Sequence, residues 1–248
     1  MSGHRLTIEI VGVAGSGKST LARTLRSDYG CRVADSLHTR QPAHWPYVLH
    51  GLPGLGPLVA ASVRDRPLLS WEEVKFVLYV AEWHRYLRDE RHGPAEEIVL
   101  DQGPIFALAR LRWGRKRVTR SKRFEAWERR MLERWSLELD AIVQLDAPDD
   151  TLLARIDERG QKHDVKGAPR PEGLELVERH RDAYVRVLER IEGLGRPLLL
   201  RYDTAAMPPA AVAAEVAETL ALVVGEELTE TPGALNVIHG RTTTREEG

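Results

Sequence analysis

An α/β fold on a central parallel sheet of five strands is what this sequence predicts, and three observations predict it. Short β-rich apolar runs alternate with longer stretches of helical spacing, the pattern of crossover units on a parallel sheet. The first run, Leu6-Thr7-Ile8-Glu9-Ile10-Val11, leads without a break into the glycine-rich Gly12-Val13-Ala14-Gly15-Ser16-Gly17-Lys18-Ser19-Thr20, after which helical spacing begins. The later runs end at or near an acidic residue, on the sheet edge where ligands of open α/β proteins gather.

The elements follow in order. Cys31-Arg32-Val33-Ala34-Asp35 is a weaker second strand, and a long excursion with loop signals in Gln41 to Gly56 follows it. Ser70-Trp71-Glu72-Glu73 reads as a capping box, behind which Trp71, Val74, Val77, Leu78 and Ala81 recur at helical spacing as a core stripe. Glu97-Ile98-Val99-Leu100-Asp101 is the third strand, Ala141 to Asp146 the fourth and Pro197 to Asp203 the fifth. Helices are predicted from about Lys122 to Leu139, Pro148 to Glu158 and Pro171 to Glu192. Phe76, Trp83, Phe106, Trp127 and Trp135 fall within helical spacing and read as core or cleft walls. Pro208-Pro209 opens a last, alanine-rich helix to about Val224, so residues 1–225 are expected as one domain and 226–248, which lack apolar periodicity, as a flexible tail.

Composition excludes several classes. Lys plus Arg number 36 against 37 Asp plus Glu, so a net charge of −1 gives no general attraction to nucleic acid. Cys31 is the one cysteine, which excludes an internal disulfide and a cysteine-built zinc cluster. No apolar run approaches membrane-spanning length and none precedes the first strand as a signal peptide, so a soluble, cytoplasmic protein with no membrane partner is expected.

The glycine-rich segment has the spacing of a phosphate-binding loop. Gly12, Gly15 and Gly17 permit backbone angles and a close phosphate approach that a Cβ would obstruct. Amides of Ala14, Ser16 and the residues through Thr20 converge with the positive helix end on a polyphosphate, and Lys18 adds a point charge to the transferred group. Ser19 is the expected magnesium ligand. Asp101, on the same sheet edge, can orient a nucleophile opposite Lys18, or else cap the turn that follows it.

With this loop before the first helix, a strand ending in Asp101 and an Arg-containing helix leading into a basic loop, the layout of residues 6–224 resembles the P-loop nucleoside and nucleotide kinase superfamily, thymidylate-kinase-like and deoxynucleoside-kinase-like enzymes in particular. The resemblance implies a three-layer P-loop NTPase fold, ATP as donor, Mg2+, and a basic lid over about residues 155–171. In such kinases the third strand ends in an acidic residue followed by Arg; here the segment reads Asp101-Gln102-Gly103-Pro104, with Gln in place of Arg. By the resemblance Asp101 accepts the acceptor's hydroxyl proton or orients magnesium through water.

Arg155 and Arg159 stand four residues apart, on one helix face, where they can clamp the migrating phosphoryl group or lie as a solvated helix end. By its place after the second strand, the segment with Asp35, Arg40 and Trp45 resembles the acceptor-binding region of thymidylate-kinase-like enzymes, which implies these residues as acceptor contacts, and Arg85 joins them from the next helix unless it is simply solvated. Tyr202-Asp203-Thr204-Ala205-Ala206 resembles the segment that borders the donor base. The basic stretch Arg110 to Arg123 reads as a loop and helix start bordering the acceptor cleft, with an anionic small acceptor, nucleic acid or solvent as its counterpart.

The expected function is transfer of the γ-phosphoryl group of ATP to a hydroxyl or phosphate of a small molecule, a nucleoside or nucleotide first. Gln102 and the unusual excursion leave a sugar or antibiotic acceptor open. A regulatory P-loop ATPase and a polynucleotide end kinase are the other classes. A guanine-specific switch is excluded, because the one asparagine, Asn236, precedes Val237 and no Asn-Lys-x-Asp motif can form. A monomer and a homodimer both remain open.

Overall fold

The computed structural model describes residues 6–34, 44–47, 49–52, 56, 70–90, 97–113, 119, 121–158 and 169–227. Strands β1 (Thr7–Val11), β2 (Arg32–Val33), β3 (Ile98–Leu100), β4 (Ala141–Asp146) and β5 (Leu198–Asp203) form one parallel sheet in the order β2-β3-β1-β4-β5. The helices among them are α1 (Lys18–Tyr29), α2 (Trp71–Glu90), α3 (Pro104–Trp113), α4 (Lys122–Trp135), α5 (Asp149–Glu158), α6 (Arg170–Glu192) and α7 (Pro209–Glu227).

Every residue of β1 is buried, as a central parallel strand covered on both faces requires. Alternation along the strands then sorts the core into two layers. Ile8, Ile10, Val143 and Leu200 pack on Leu21 and Leu25 of α1 and on Val212 and Val216 of α7. Val11, Leu100, Ile142 and Leu199 belong to the opposite cluster, with side chains of α2, α3, α4 and α6. The result is the three-layer α/β architecture with a five-stranded parallel sheet that the sequence predicts.

The local signals hold with corrections. Ser70 and Glu73 close the capping box reciprocally: Ser70 N donates to Glu73 Oε2 at 2.7 Å and Glu73 N to Ser70 Oγ at 3.3 Å. Trp71, expected in the core stripe, is 64% exposed, because it sits in the first turn before α2 reaches the core; full burial starts at Val77 and includes Trp83. Helix α4 stops at Trp135 rather than near Leu139, since Leu137 N and Glu138 N turn back to Arg134 O and Trp135 O in tight three-residue steps. Helix α7 runs on to Glu227, past the helix end expected at about Val224. Most of the expected lid and the rest of the expected tail lie outside the described residues. Among the described residues no helix is long and apolar enough to cross a membrane.

Candidate active site

The segment after β1 is wedged between β4 and α5, and its glycines are what make that fit. A Cβ on Gly12 (φ +145°) would stand 2.1 Å from Leu145 O, and one on Gly15 (φ +85°) 2.7 Å from Leu152 O. Gly17 is the left-handed N-cap of α1 and supplies no side-chain cap. The amides and positive end of this helix are therefore directed at the loop, and no acidic residue lies in the helix's own first turn. Ser16 is buried, and its hydroxyl has no hydrogen-bond partner among the described residues. Lys18 curls back over the loop, its Nζ donating to Gly12 O at 2.8 Å and to Val13 O at 2.9 Å.

Asp101 follows directly on β3, next to β1 in the sheet, and so faces the first turn of α1. The Ser19 hydroxyl donates to its Oδ2 at 3.0 Å, whereas Oδ1 is buried without a hydrogen-bond partner among the described residues. The turn after it is supported from below. Glu9, fully buried in β1, accepts from Ile105 N at 3.0 Å through Oε2 and from Phe106 N at 2.8 Å through Oε1. Burial pushes the Glu9 carboxyl up to about 8, against the lowering effect of these backbone donors.

On the other side of the loop, Gly15, Gly17, Thr20, Leu21, Leu145, Arg155, Thr204 and Val212 are among the residues that line a cavity of about 340 Å³. Arg155 walls it: the guanidinium donates to Thr204 Oγ1 at 2.8 Å, Thr204 O at 2.9 Å and Gly15 O at 3.4 Å. Thr204 is held in turn by Asp146 O, which accepts from its N and Oγ1. Arg181 of α6 fixes the end of β4, donating to Asp146 Oδ2 and Asp149 Oδ1, each at 2.8 Å. Those carboxylates, the Asp146 hydrogen bond foremost, raise the guanidinium's affinity for its proton still further.

The geometry thus gathers Gly12, Ala14, Gly15, Ser16, Gly17, Lys18, Ser19, Thr20 and Asp101 at one sheet edge, with Arg155 at the cavity beside them. Arg85 is engaged on its own helix, its Nε 3.3 Å from Glu82 Oε2, and Trp45 is 56% exposed. Asp35, Arg40 and Arg159 lie outside the described residues. Sequence reasoning passed over Glu9 and Arg181. A carboxylate inside an otherwise apolar central strand was the available signal for Glu9; an Arg in a charged amphipathic helix offers none for Arg181. Among the described residues no group of three or more His, Cys, Asp or Glu side chains is arranged to hold a metal ion.

No family model and no curated protein matches the sequence. Solved structures match by shape. A deoxyadenosine kinase from M. mycoides with bound dATP aligns with a TM-score of 0.51 at 15% identity, over 87% of this chain and all of its own. The deoxyadenosine kinase from M. mycoides with the products dCMP and a flexible dCDP bound aligns equally, at 0.51 and 14% identity over 88% of this chain and all of its own. At that identity the likeness is one of fold: the chain shares the fold of these deoxyadenosine kinases.

Proposed function

We propose that the chain is an ATP-dependent phosphotransferase that moves the γ-phosphoryl group to a hydroxyl or phosphate of a small, nucleoside- or nucleotide-like acceptor. The observation that carries this reading is the Ser19–Asp101 hydrogen bond of 3.0 Å at the head of the helix that Lys18 opens. A hydroxyl, a carboxylate, an ammonium and the positive end of a helix then share one sheet edge, which is the equipment phosphoryl transfer needs for positioning and charge neutralisation.

In this reading the loop amides and the Ser16 hydroxyl hold the donor phosphates, and Lys18 leaves the carbonyls of Gly12 and Val13 for the β and γ groups. The base and sugar of the donor occupy the cavity walled by Arg155 and Thr204. Asp101 accepts the acceptor hydroxyl's proton while that oxygen attacks the γ-phosphorus; the bond from the γ-phosphorus to the β,γ-bridging oxygen breaks, and ADP leaves. Arg155 holds the donor at this cavity through the contacts it makes beside the loop, and Arg159 answers charge on the transferring group. The residues fit Mg2+: the Ser19 hydroxyl and the Asp101 carboxylate are hard oxygen donors, and the buried Asp101 Oδ1 lacks a partner among the described residues. Bound by Ser19 directly and by Asp101 through water, the ion would neutralise charge along the polyphosphate.

The acceptor is nucleoside-like in this proposal because the fold is shared with deoxyadenosine kinases. The test is product mass after incubation with ATP and Mg2+ against nucleosides, nucleotides, sugars, aminoglycosides and short oligonucleotides. A nucleoside or nucleotide heavier by one phosphoryl group supports the reading. ATP turnover with no phosphorylated product contradicts it and favours a regulatory ATPase.

A further inference from the structure

We infer that Glu9 is a positioning residue: its buried carboxyl in β1 holds the turn Asp101-Gln102-Gly103 in place and so sets where the Asp101 carboxylate stands. The inference rests on the phosphotransferase reading for its catalytic consequence, and on geometry alone for the anchoring. A carboxyl group in the middle of a parallel sheet is costly to bury, so its partners explain its presence.

Those partners are the two amides that open α3. Ile105 N and Phe106 N have no carbonyl one turn earlier to receive them, and they donate instead to Glu9, at 3.0 and 2.8 Å, from 96 and 97 residues further along the chain. The cap of α3 is thus supplied by the sheet, not by a neighbouring residue in sequence. Because Glu9 also pairs in register with Leu100, one residue of β1 fixes the chain immediately before Asp101 and again at Ile105 and Phe106 beyond the turn.

The fit is close enough to select the residue at position 103. A Cβ there would stand 2.3 Å from Glu9 Cδ and 2.5 Å from its Oε2, so the turn can lie against the carboxyl plane only with Gly103. A second anchor comes from α2, where the buried Tyr79 donates its hydroxyl to Gln102 O. Sheet and helix α2 therefore converge on the three residues that carry Asp101.

The full-length protein and its Glu9→Gln variant test this by two readouts. Glutamine keeps the shape but turns an NH2 group on one of the two backbone donors. Hydrogen exchange should speed up across residues 101–108 and stay unchanged in α1. In the transfer assay kcat should fall at least about tenfold with KM for ATP within about twofold. Tyr79→Phe, which keeps the ring against Trp83, should give the same split with a smaller fall, and provides the test if Glu9→Gln does not fold. Unchanged exchange over 101–108, or a wild-type kcat in a folded variant, overturns the inference. If the wild-type chain phosphorylates no acceptor, the phosphotransferase reading fails by itself, and the exchange data still decide whether Glu9 holds the turn.

Discussion

Arg155 is the residue whose geometry departs furthest from the use its sequence suggested. Spacing with Arg159 pointed to a clamp on the phosphoryl group, but its guanidinium donates to Thr204 and to Gly15 O and walls the cavity next to the loop. A side chain placed there acts on the donor in the ground state as much as in the transition state. Arg155→Ala should therefore raise KM for ATP by about tenfold or more and lower kcat by less; initial rates over a range of ATP concentration give both numbers. The loop residues were legible in the sequence because a phosphate-binding loop is local, with every constraint falling inside nine consecutive residues. Glu9 and Arg181 were not, because what each does depends on partners that only the fold brings near: Ile105 and Phe106 for the one, Asp146 for the other.

At the scale of elements, α3, α4 and α6 are joined by a single buried carboxylate. Glu128 of α4 is fully buried, bonded by Arg112 of α3 through Nε at 2.6 Å and through Nη2, and also by Arg190 of α6. Removing the charge leaves the largely buried guanidinium of Arg112 short of its partner, while Arg190, 43% exposed, keeps its access to water. Glu128→Gln should lower unfolding stability by about 3 kcal/mol in urea titrations, with little change in the m-value. A loss under about 0.5 kcal/mol would mean that solvent already reaches the pair. Elements with a strong period were legible to within a residue or two: β4 runs from Ala141 to Asp146 as predicted, and α6 begins one residue before Pro171. The errors fall where tertiary contact decides, as at exposed Trp71 and at the tight turn that ends α4.

For the whole molecule, the strand order β2-β3-β1-β4-β5 sets β1 between β3 and β4, so the loop after β1 meets Asp101 on one side and Leu145 on the other. The same burial that makes β1 the centre of the core gives the protein a pH dependence. Glu9 in the folded chain titrates near 8 against an ordinary 4.5, with Tyr79 and Tyr184 as its titratable neighbours. Between those values the unfolded chain has released this proton and the folded chain keeps it. Folding stability from this group therefore falls as pH rises, by up to about 1.4 kcal/mol per pH unit, and levels off above the folded value. Urea unfolding of wild type and Glu9→Gln at about pH 5 and about pH 7.5 should show the stability gap between them narrowing, or reversing, at the higher pH. A gap that does not move would mean that Glu9 is ionised in the folded state.

The central claim is that the sheet edge carrying Lys18, Ser19 and Asp101 performs phosphoryl transfer, and it is tested most directly by comparing wild type with Asp101→Asn for ATP binding by calorimetry and for single-turnover transfer to the acceptor identified by product mass. The account predicts that the variant folds, keeps its affinity for ATP within a few fold, and transfers at least about a hundredfold more slowly. Equal transfer rates in the two proteins would contradict it.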